Sequence, residues 1–151
     1  MPIRPNLPVG PTTTTPPAAE TYSKFVLVSR ADTTAFQAVV VPHNAVINFV
    51  RINGQAVSDS ATSASISIGS NPGTTNEVLA AYDVKAATGK GNYLAGAFAG
   101  TQVGVANTTG QAGSIYDQLY LAKYSETGAS TVGGPWLIEV GYYYPQQGNF
   151  Y

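Results

Sequence analysis

The segment WLIEVGYYY at residues 136–144 constrains the fold most, because its side chains alternate strictly between two faces. A side-chain period of two residues is typical of a β-strand. One face of this strand carries the larger apolar set: Trp136, Ile138, Val140, Tyr142 and Tyr144. Trp136 is the only tryptophan of the chain. We predict that it anchors a hydrophobic core, since truncating a buried tryptophan typically costs about 3–5 kcal/mol.

The preceding segment QLYLAKYS at residues 118–125 alternates in the same way, with Tyr120, Ala122 and Tyr124 on one face. Between the two segments, residues 126–134 consist largely of Gly, Ser and Thr, the composition of a hairpin loop. We therefore predict that the two strands pair with each other in a C-terminal hairpin with aromatic cross-strand neighbours.

Four earlier segments are rich in aromatic and β-branched residues and are separated by turn-like sequences: residues 21–30, 36–41, 45–52 and 63–69. We predict that the first two form another hairpin. The dipeptide Asn53-Gly54 after the third segment predicts a tight turn. Short strands separated by turns predict an all-β domain, either a sandwich or a barrel.

Two later segments are less clear in their pattern. Residues 77–87, EVLAAYDVKAA, favour helix, but the segment is short, so we predict a single helical turn. Residues 89–113 are mostly Gly, Ala, Asn and Thr, with apolar residues spaced to allow one or two weak strands, or else a loop.

The chain of 151 residues suits one domain with a single core. We divide it into an extended Pro/Thr-rich arm at residues 1–20, a β-sandwich domain at residues 21–145 and a tail at residues 146–151. Six prolines in the arm favour extended, polyproline-like backbone. This segment is either a disordered leader or an arm that docks on a neighbouring molecule.

Burial of the apolar residues Ile3, Leu7 and Val9 would contribute roughly 1.5–3 kcal/mol each. Ordering the backbone of the arm costs about 1–2 kcal/mol per residue. The arm therefore cannot order itself, and it would need hydrogen bonds to a partner or many copies acting together.

Charge and composition exclude several classes of function. The net charge is −1 and only 10% of the residues are charged, so there is no basic patch for nucleic-acid phosphates. The chain has no cysteine, which excludes disulfides and thiolate metal sites. The residues MPIRPNLPVGP lack the apolar segment typical of a secretory signal, and no window approaches the apolar length that spans a membrane. We predict no nucleic-acid partner, no membrane partner and synthesis in a cytoplasm.

No recognisable arrangement of catalytic residues is present. His43 is the only histidine, and neither a nearby metal ligand nor a Ser-nucleophile motif accompanies it. Three carboxylates on the predicted C-terminal hairpin could approach one another as a glycosidase pair requires: Asp117, Glu126 and Glu139. Asp83 with Asp117 could help to hold Ca²⁺, but no loop has enough oxygen ligands. Residues 88–91, TGKG, indicate a turn and not a phosphate-binding loop. We predict a non-enzyme without catalytic, cofactor-binding or metal-binding residues.

Three successive tyrosines end the last strand, and Tyr143 must leave the face of Tyr142 and Tyr144. At least one ring then lies outside the main core. Three explanations are open: a second hydrophobic layer within one subunit, a subunit interface, or a platform for stacking carbohydrate. We predict a partner-binding set that combines these rings with the arm and the tail: Ile3, Arg4, Pro5, Leu7, Val9, Tyr142, Tyr143, Tyr144, Phe150 and Tyr151.

Two stretches, ISIGSNPGTTNEVLAAYDVKAA at residues 66–87 and LAKYSETGASTVGGPWLIEVGYYY at residues 121–144, cover about a third of the chain. They resemble small structural proteins of tailed-bacteriophage virions, in particular capsid decoration (cement) proteins. The resemblance implies a jelly-roll-like β-sandwich with no catalytic residues. It also implies a location outside the capsid after synthesis in the host cytoplasm, the major capsid protein as partner, and a homo-oligomer, with a trimer favoured and a dimer possible.

The long arm and the aromatic tail depart from the resemblance and leave a vertex, tail or head-fibre position open. The alternative function is accordingly a receptor- or glycan-binding module of a head fibre or tail, motivated by Trp136 and the tyrosines. A hydrolase is a third alternative, with His43 as its only obvious base.

Overall fold

A computed structural model describes residues 20–42, 45–72, 74, 76–102 and 117–144, with the backbone alone for residues 96–102. Within these ranges no α-helix is present, and the regular elements are eight strands and a short 3-10 turn, Ala87–Gly89. The strands are β1 (Thr21–Val28), β2 (Phe36–Val41), β3 (Val46–Gly54), β4 (Ser63–Gly69), β5 (Leu79–Asp83), β6 (Gly91–Gln102), β7 (Gln118–Thr127) and β8 (Trp136–Tyr143).

The eight strands form two antiparallel sheets of four strands each. Sheet A has the order β1-β8-β3-β6, and sheet B has the order β2-β7-β4-β5. The first strand pairs with the last, the second with the second to last, and so on inward: β1 with β8, β2 with β7, β3 with β6 and β4 with β5. This nesting is the topology of an eight-stranded jelly roll. The predicted all-β, jelly-roll-like sandwich is confirmed.

Both predicted hairpins are wrong. β7 lies between β2 and β4 in sheet B, whereas β8 lies between β1 and β3 in sheet A. Residues 128–135 therefore carry the chain from one sheet to the other and do not form a hairpin loop. β1 and β2 are likewise in different sheets. The strands of each of these two pairs face each other across the core, and their hydrogen-bonding partners come from distant parts of the sequence.

The predicted helical turn within residues 77–87 is also wrong. Residues 79–83 form β5, in which Tyr82 lies opposite Ile66 and Asp83 lies opposite Ser65 of β4. The buried side chains of Val78 and Leu79 and the open edge of β4 outweigh a helix propensity that is weak in so short a segment. The 3-10 turn Ala87–Gly89 follows after three residues, and β6 confirms a strand in the Gly/Ala-rich region.

Asn53-Gly54 does not form the predicted tight turn. The two residues end β3, where Gly54 lies opposite Trp136 of β8 and Gly91 of β6. A glycine is required at position 54 because a Cβ atom there would collide with the backbone carbonyl of Gly89. The dipeptide therefore marks a close approach of two backbone segments.

Trp136 anchors the core, as predicted. Its side chain is fully buried, and its indole stacks on the ring of Tyr124 at 5.5 Å between centroids. Indole Nε1 donates a hydrogen bond of 2.8 Å to the carbonyl oxygen of Gly89. The Tyr124 hydroxyl donates to the Glu126 carboxylate at 2.7 Å, and a hydrogen bond of 3.0 Å joins it to Ser58 Oγ. The polar atoms of both buried rings thus have partners.

The loop before β4 is joined to the loop before β8 by Asp59. Its carboxylate accepts hydrogen bonds from Thr131 Oγ1 at 2.6 Å and from the backbone amides of Thr131 and Val132, both at 2.8 Å. The hydrogen bond from the Thr131 side chain, followed by that from the Val132 amide, lowers the pKa of Asp59 from 3.8 to about 2. All three bonds favour the charged carboxylate.

We expect the Asp59 carboxylate to make the fold less stable at low pH. A folded-state pKa below the unfolded one adds stability that is present above pH 3.8 and is lost as the pH falls towards 2. Asp59→Asn should therefore flatten the pH dependence of the urea midpoint between pH 4.5 and pH 2. If the variant and the unmodified chain lose stability in parallel over this range, the bonds to Thr131 and Val132 do not stabilise the charged form.

Candidate functional site

Two of the three carboxylates predicted to approach one another are placed in different sheets. Glu126 belongs to β7 in sheet B and Glu139 to β8 in sheet A, so the expected pair on one hairpin is wrong. Each carboxylate has a structural partner: Glu126 accepts from Tyr124, and Glu139 forms an ion pair with Arg51 at 3.0 Å. Among the residues that the structure describes, no group of three or more His, Cys, Asp and Glu side chains could hold a metal ion.

The other residues considered for catalysis or ligand binding either have structural roles or lie outside the described residues. Asp83 Oδ1 accepts hydrogen bonds from the amides of Lys85 at 2.8 Å and Ala86 at 3.1 Å, and so fixes the chain ahead of the 3-10 turn. The TGKG sequence is part of a turn, as predicted, since residues 88 and 89 complete that 3-10 element. His43 lies outside the described residues. No helix in the described part of the chain combines the length and apolarity that crossing a membrane requires.

A cluster of three tyrosine rings, which we call the tyrosine cluster, is formed by Tyr22, Tyr142 and Tyr144. Antiparallel pairing of β1 with β8 places Tyr22 opposite Tyr142, and the two rings stack at 5.7 Å between centroids. Tyr144 meets both rings edge-on, at 5.8 Å from Tyr22 and 6.2 Å from Tyr142. Tyr142 is buried, whereas Tyr22 and Tyr144 are 41% and 44% exposed. Two large aromatic surfaces are therefore available to a partner.

Tyr143 does not join this cluster. It is half-buried and lies opposite Thr21 of β1 and Val46 of β3, as the two-residue period of a strand requires. Sequence reasoning found Tyr142 and Tyr144 but missed Tyr22, because only the pairing of the first strand with the last brings Tyr22 to them. The signal that could have found it is the position of Tyr22 at the start of an aromatic, alternating segment.

The cluster lies at the start of the first strand and the end of the last. β1 begins at Thr21 and β8 ends at Tyr143, and these two residues are direct neighbours. The Tyr22 hydroxyl donates a hydrogen bond of 2.7 Å to the Glu20 carboxylate. This bond raises the pKa of Tyr22, so the phenol stays neutral. The remaining predicted partner-binding residues lie outside the described part of the chain: Ile3, Arg4, Pro5, Leu7, Val9, Phe150 and Tyr151.

Comparison with known proteins gives a likeness in fold. No protein-family model and no curated protein matches the sequence. A solved structure described as "Cyanophage Pam1 capsid asymmetric unit" superposes with a TM-score of 0.56 at 14% sequence identity. The alignment covers 84% of this chain and 86% of that chain. The protein therefore shares its overall fold with a chain of a cyanophage capsid asymmetric unit.

Proposed function

We propose that this protein is a non-enzymatic structural component of a tailed-phage virion that binds the outside of the head and stabilises the shell. The observation that carries the proposal is the extent of the structural likeness. The two aligned chains correspond over 84% and 86% of their lengths, so the whole jelly roll is shared and not one motif of it. The resemblance of residues 66–87 and 121–144 to decoration proteins supports the same role.

The position of the tyrosine cluster suggests how such a protein attaches. The start of β1 lies beside the end of β8, so the proposed arm, the proposed tail and two half-exposed tyrosine rings can contact the same neighbour. Residues 1–19, if fully extended, reach roughly 60 Å, far enough to pass over an adjacent capsid subunit. The apolar side chains of Ile3, Leu7 and Val9 then bury against the major capsid protein, flanked by Arg4 and Pro5.

Several modest contacts made by each copy can together stabilise a shell. Any protein that binds the assembled shell and not its separated subunits stabilises the shell by mass action. Linked sites on one copy raise the effective concentration of each other. A cement protein with an arm and an aromatic patch therefore needs only modest affinity at each contact.

Deletion of residues 1–20 tests the role of the arm. We expect the truncated protein to keep its far-UV circular dichroism spectrum and thermal midpoint, because all eight strands lie outside the deleted segment. Its binding to heads stripped of this protein should fall at least about tenfold, since the linked contact is lost. Co-sedimentation with stripped heads measures this, and undiminished binding would show that the arm does not attach the protein.

The tyrosine cluster is tested in the same assay. Tyr22→Ser with Tyr144→Ser removes the two exposed rings and should weaken head binding, since tyrosine is enriched among residues that dominate interfaces. Tyr93→Ser is the matched control, because Tyr93 is 40% exposed but belongs to β6 at the far edge of sheet A. Equal effects of both changes would count against a specific role for the cluster.

A glycan-binding role is the second candidate, and the exposed rings of Tyr22 and Tyr144 favour it. Trp136, which first suggested this role, is fully buried and cannot stack on a sugar. A glycan array separates the two functions. A decoration protein should bind no glycan, and selective binding lost on Tyr144→Ser would favour the receptor-binding module.

A further inference from the structure

The outer face of sheet A is unusually apolar for a surface that faces solvent. Its exposed side chains include Phe25 and Leu27 of β1, both 58% exposed, Leu94 of β6 at 60% and Leu137 of β8 at 40%. In the described strands of sheet B, by contrast, the one large apolar side chain with comparable exposure is Val40, at 45%. Contiguous apolar surface on a folded domain commonly marks an interaction site.

A charged pair occupies the middle of this face. Arg51 of β3 and Glu139 of β8 form an ion pair at 3.0 Å, and Ser23 Oγ donates a hydrogen bond of 2.6 Å to the other oxygen of Glu139. The guanidinium of Arg51 lies 5.2 Å from the centroid of the Phe49 ring. That ring lies against Gly141, where a Cβ atom would collide with it. The two charges are therefore held in place before any partner arrives, which lowers the entropic cost of binding.

These residues form one continuous row across all four strands. Phe25 lies opposite Glu139, Glu139 lies opposite Arg51, and Arg51 lies opposite Leu94. The row thus reads apolar, acid, base, apolar from β1 to β6. Beside it, Phe25 and Leu137 line a shallow pocket of about 140 Å³ together with Asn53, Asn92 and the charged pair.

We propose that this face pairs with the same face of a second copy of the chain. The two-fold axis lies in the interface, between sheet A of one copy and sheet A of the other. It runs parallel to the strands and passes midway between β8 and β3. A rotation of 180° about this axis reverses the row, so Glu139 faces Arg51 of the second copy and Phe25 faces its Leu94. A two-fold interface requires this self-complementarity, in which residue i contacts residue j and j contacts i.

The arrangement of charges also excludes the other orientation of an in-plane axis. An axis perpendicular to the strands and along the row would place Glu139 against Glu139 and Arg51 against Arg51. Like charges brought face to face cost several kcal/mol.

The area of the face is sufficient for a reversible dimer. Four strands about 4.8 Å apart and eight residues long at about 3.3 Å per residue span roughly 500 Å². Two copies then bury about 1,000 Å², which is close to the minimum for a biological interface and typical of weak, reversible association. The proposal adopts the dimer in place of the trimer that the sequence resemblance favours, and it does not rest on a role in the virion.

Complementary charge reversals test the proposal on the full chain in the absence of phage heads. Arg51→Glu gives a face with two acids and Glu139→Arg a face with two bases, so each variant should dimerise at least about tenfold more weakly than the unmodified chain. An equimolar mixture of the two variants should recover dimers that contain one copy of each. Sedimentation velocity with one variant fluorescently labelled measures all three states.

Two further variants test whether the dimer forms through this face. Phe25→Ser should weaken the dimer without altering the central charges, and Val40→Glu, on the outer face of sheet B, should leave it unchanged. Near-ultraviolet circular dichroism of Trp136 verifies that each variant is folded. The proposal is overturned if the unmodified chain is monomeric throughout, if dimers persist in both charge variants, or if the mixture does not recover them. It is equally overturned if deleting residues 1–20 abolishes association while the charge reversals do not.

Discussion

Replacing Trp136 with alanine is expected to lower the free energy of unfolding by about 3–5 kcal/mol. The indole is fully buried and stacks on Tyr124, so its loss leaves a cavity between the sheets. The carbonyl oxygen of Gly89 would also lose the hydrogen bond from Nε1. A buried acceptor without a partner adds to the cost. Urea unfolding followed by far-ultraviolet circular dichroism measures the change without depending on tryptophan fluorescence.

Two other variants separate the contributions of this side chain. Trp136→Phe keeps most of the apolar volume but removes the donor, and it should cost less than the alanine variant. Val132→Ala is the surface control, because Val132 is 54% exposed, and its effect should stay within about 0.5 kcal/mol. A loss below about 1 kcal/mol for Trp136→Ala would contradict the role of this residue as the anchor of the core.

Gly54→Ala is expected to destabilise the fold by about 3 kcal/mol, at the upper end for overpacking. A Cβ atom at position 54 would collide with the backbone carbonyl of Gly89 and would lie 2.6 Å from Cδ1 of Trp136. Gly89 is itself closely packed, since a Cβ atom there would collide with the backbone of Val84. The end of β3, the 3-10 turn and the indole must therefore shift together.

Gly141→Ala is the matched comparison for this prediction. Its added methyl group would collide only with the ring of Phe49 among the nearest atoms, and that ring is half-buried on the outer face of sheet A. A side chain can rotate where a backbone carbonyl cannot, so we expect a cost below about 1.5 kcal/mol. Urea midpoints measured side by side give the ranking, and a reversed order would mean that the backbone at Gly89 moves more easily than the phenyl ring.

Local patterns predicted the strands and their faces correctly where alternation was strong. In β8, Trp136, Ile138 and Val140 are all fully buried, and Leu137 is exposed, as the two-residue period requires. Two strands, β2 at residues 36–41 and β4 at residues 63–69, have the predicted boundaries. The pattern failed in residues 77–87, where composition favoured helix and the open edge of β4 determined a strand.

The candidate interaction surfaces were likewise predictable only where they depend on the local strand period. Tyr142 and Tyr144 could be placed on one face from sequence, because the strand period is local. Tyr22 could not be added to them, and neither could the row of Phe25, Glu139, Arg51 and Leu94 be assembled. These contacts join strands that lie far apart along the chain, and their register depends on which strands pair.

Residue spacing was enough to predict an all-β fold, the side chains of the clearest strands that face inward, and the place of Trp136 in the core. These properties follow from side-chain spacing within a few residues. The folded structure was needed to show that β7 and β8 belong to opposite sheets and that β1 pairs with β8. Every strand in a sandwich has similar hydrogen-bonding edges, so the choice among partners depends on how all eight apolar faces close around one core.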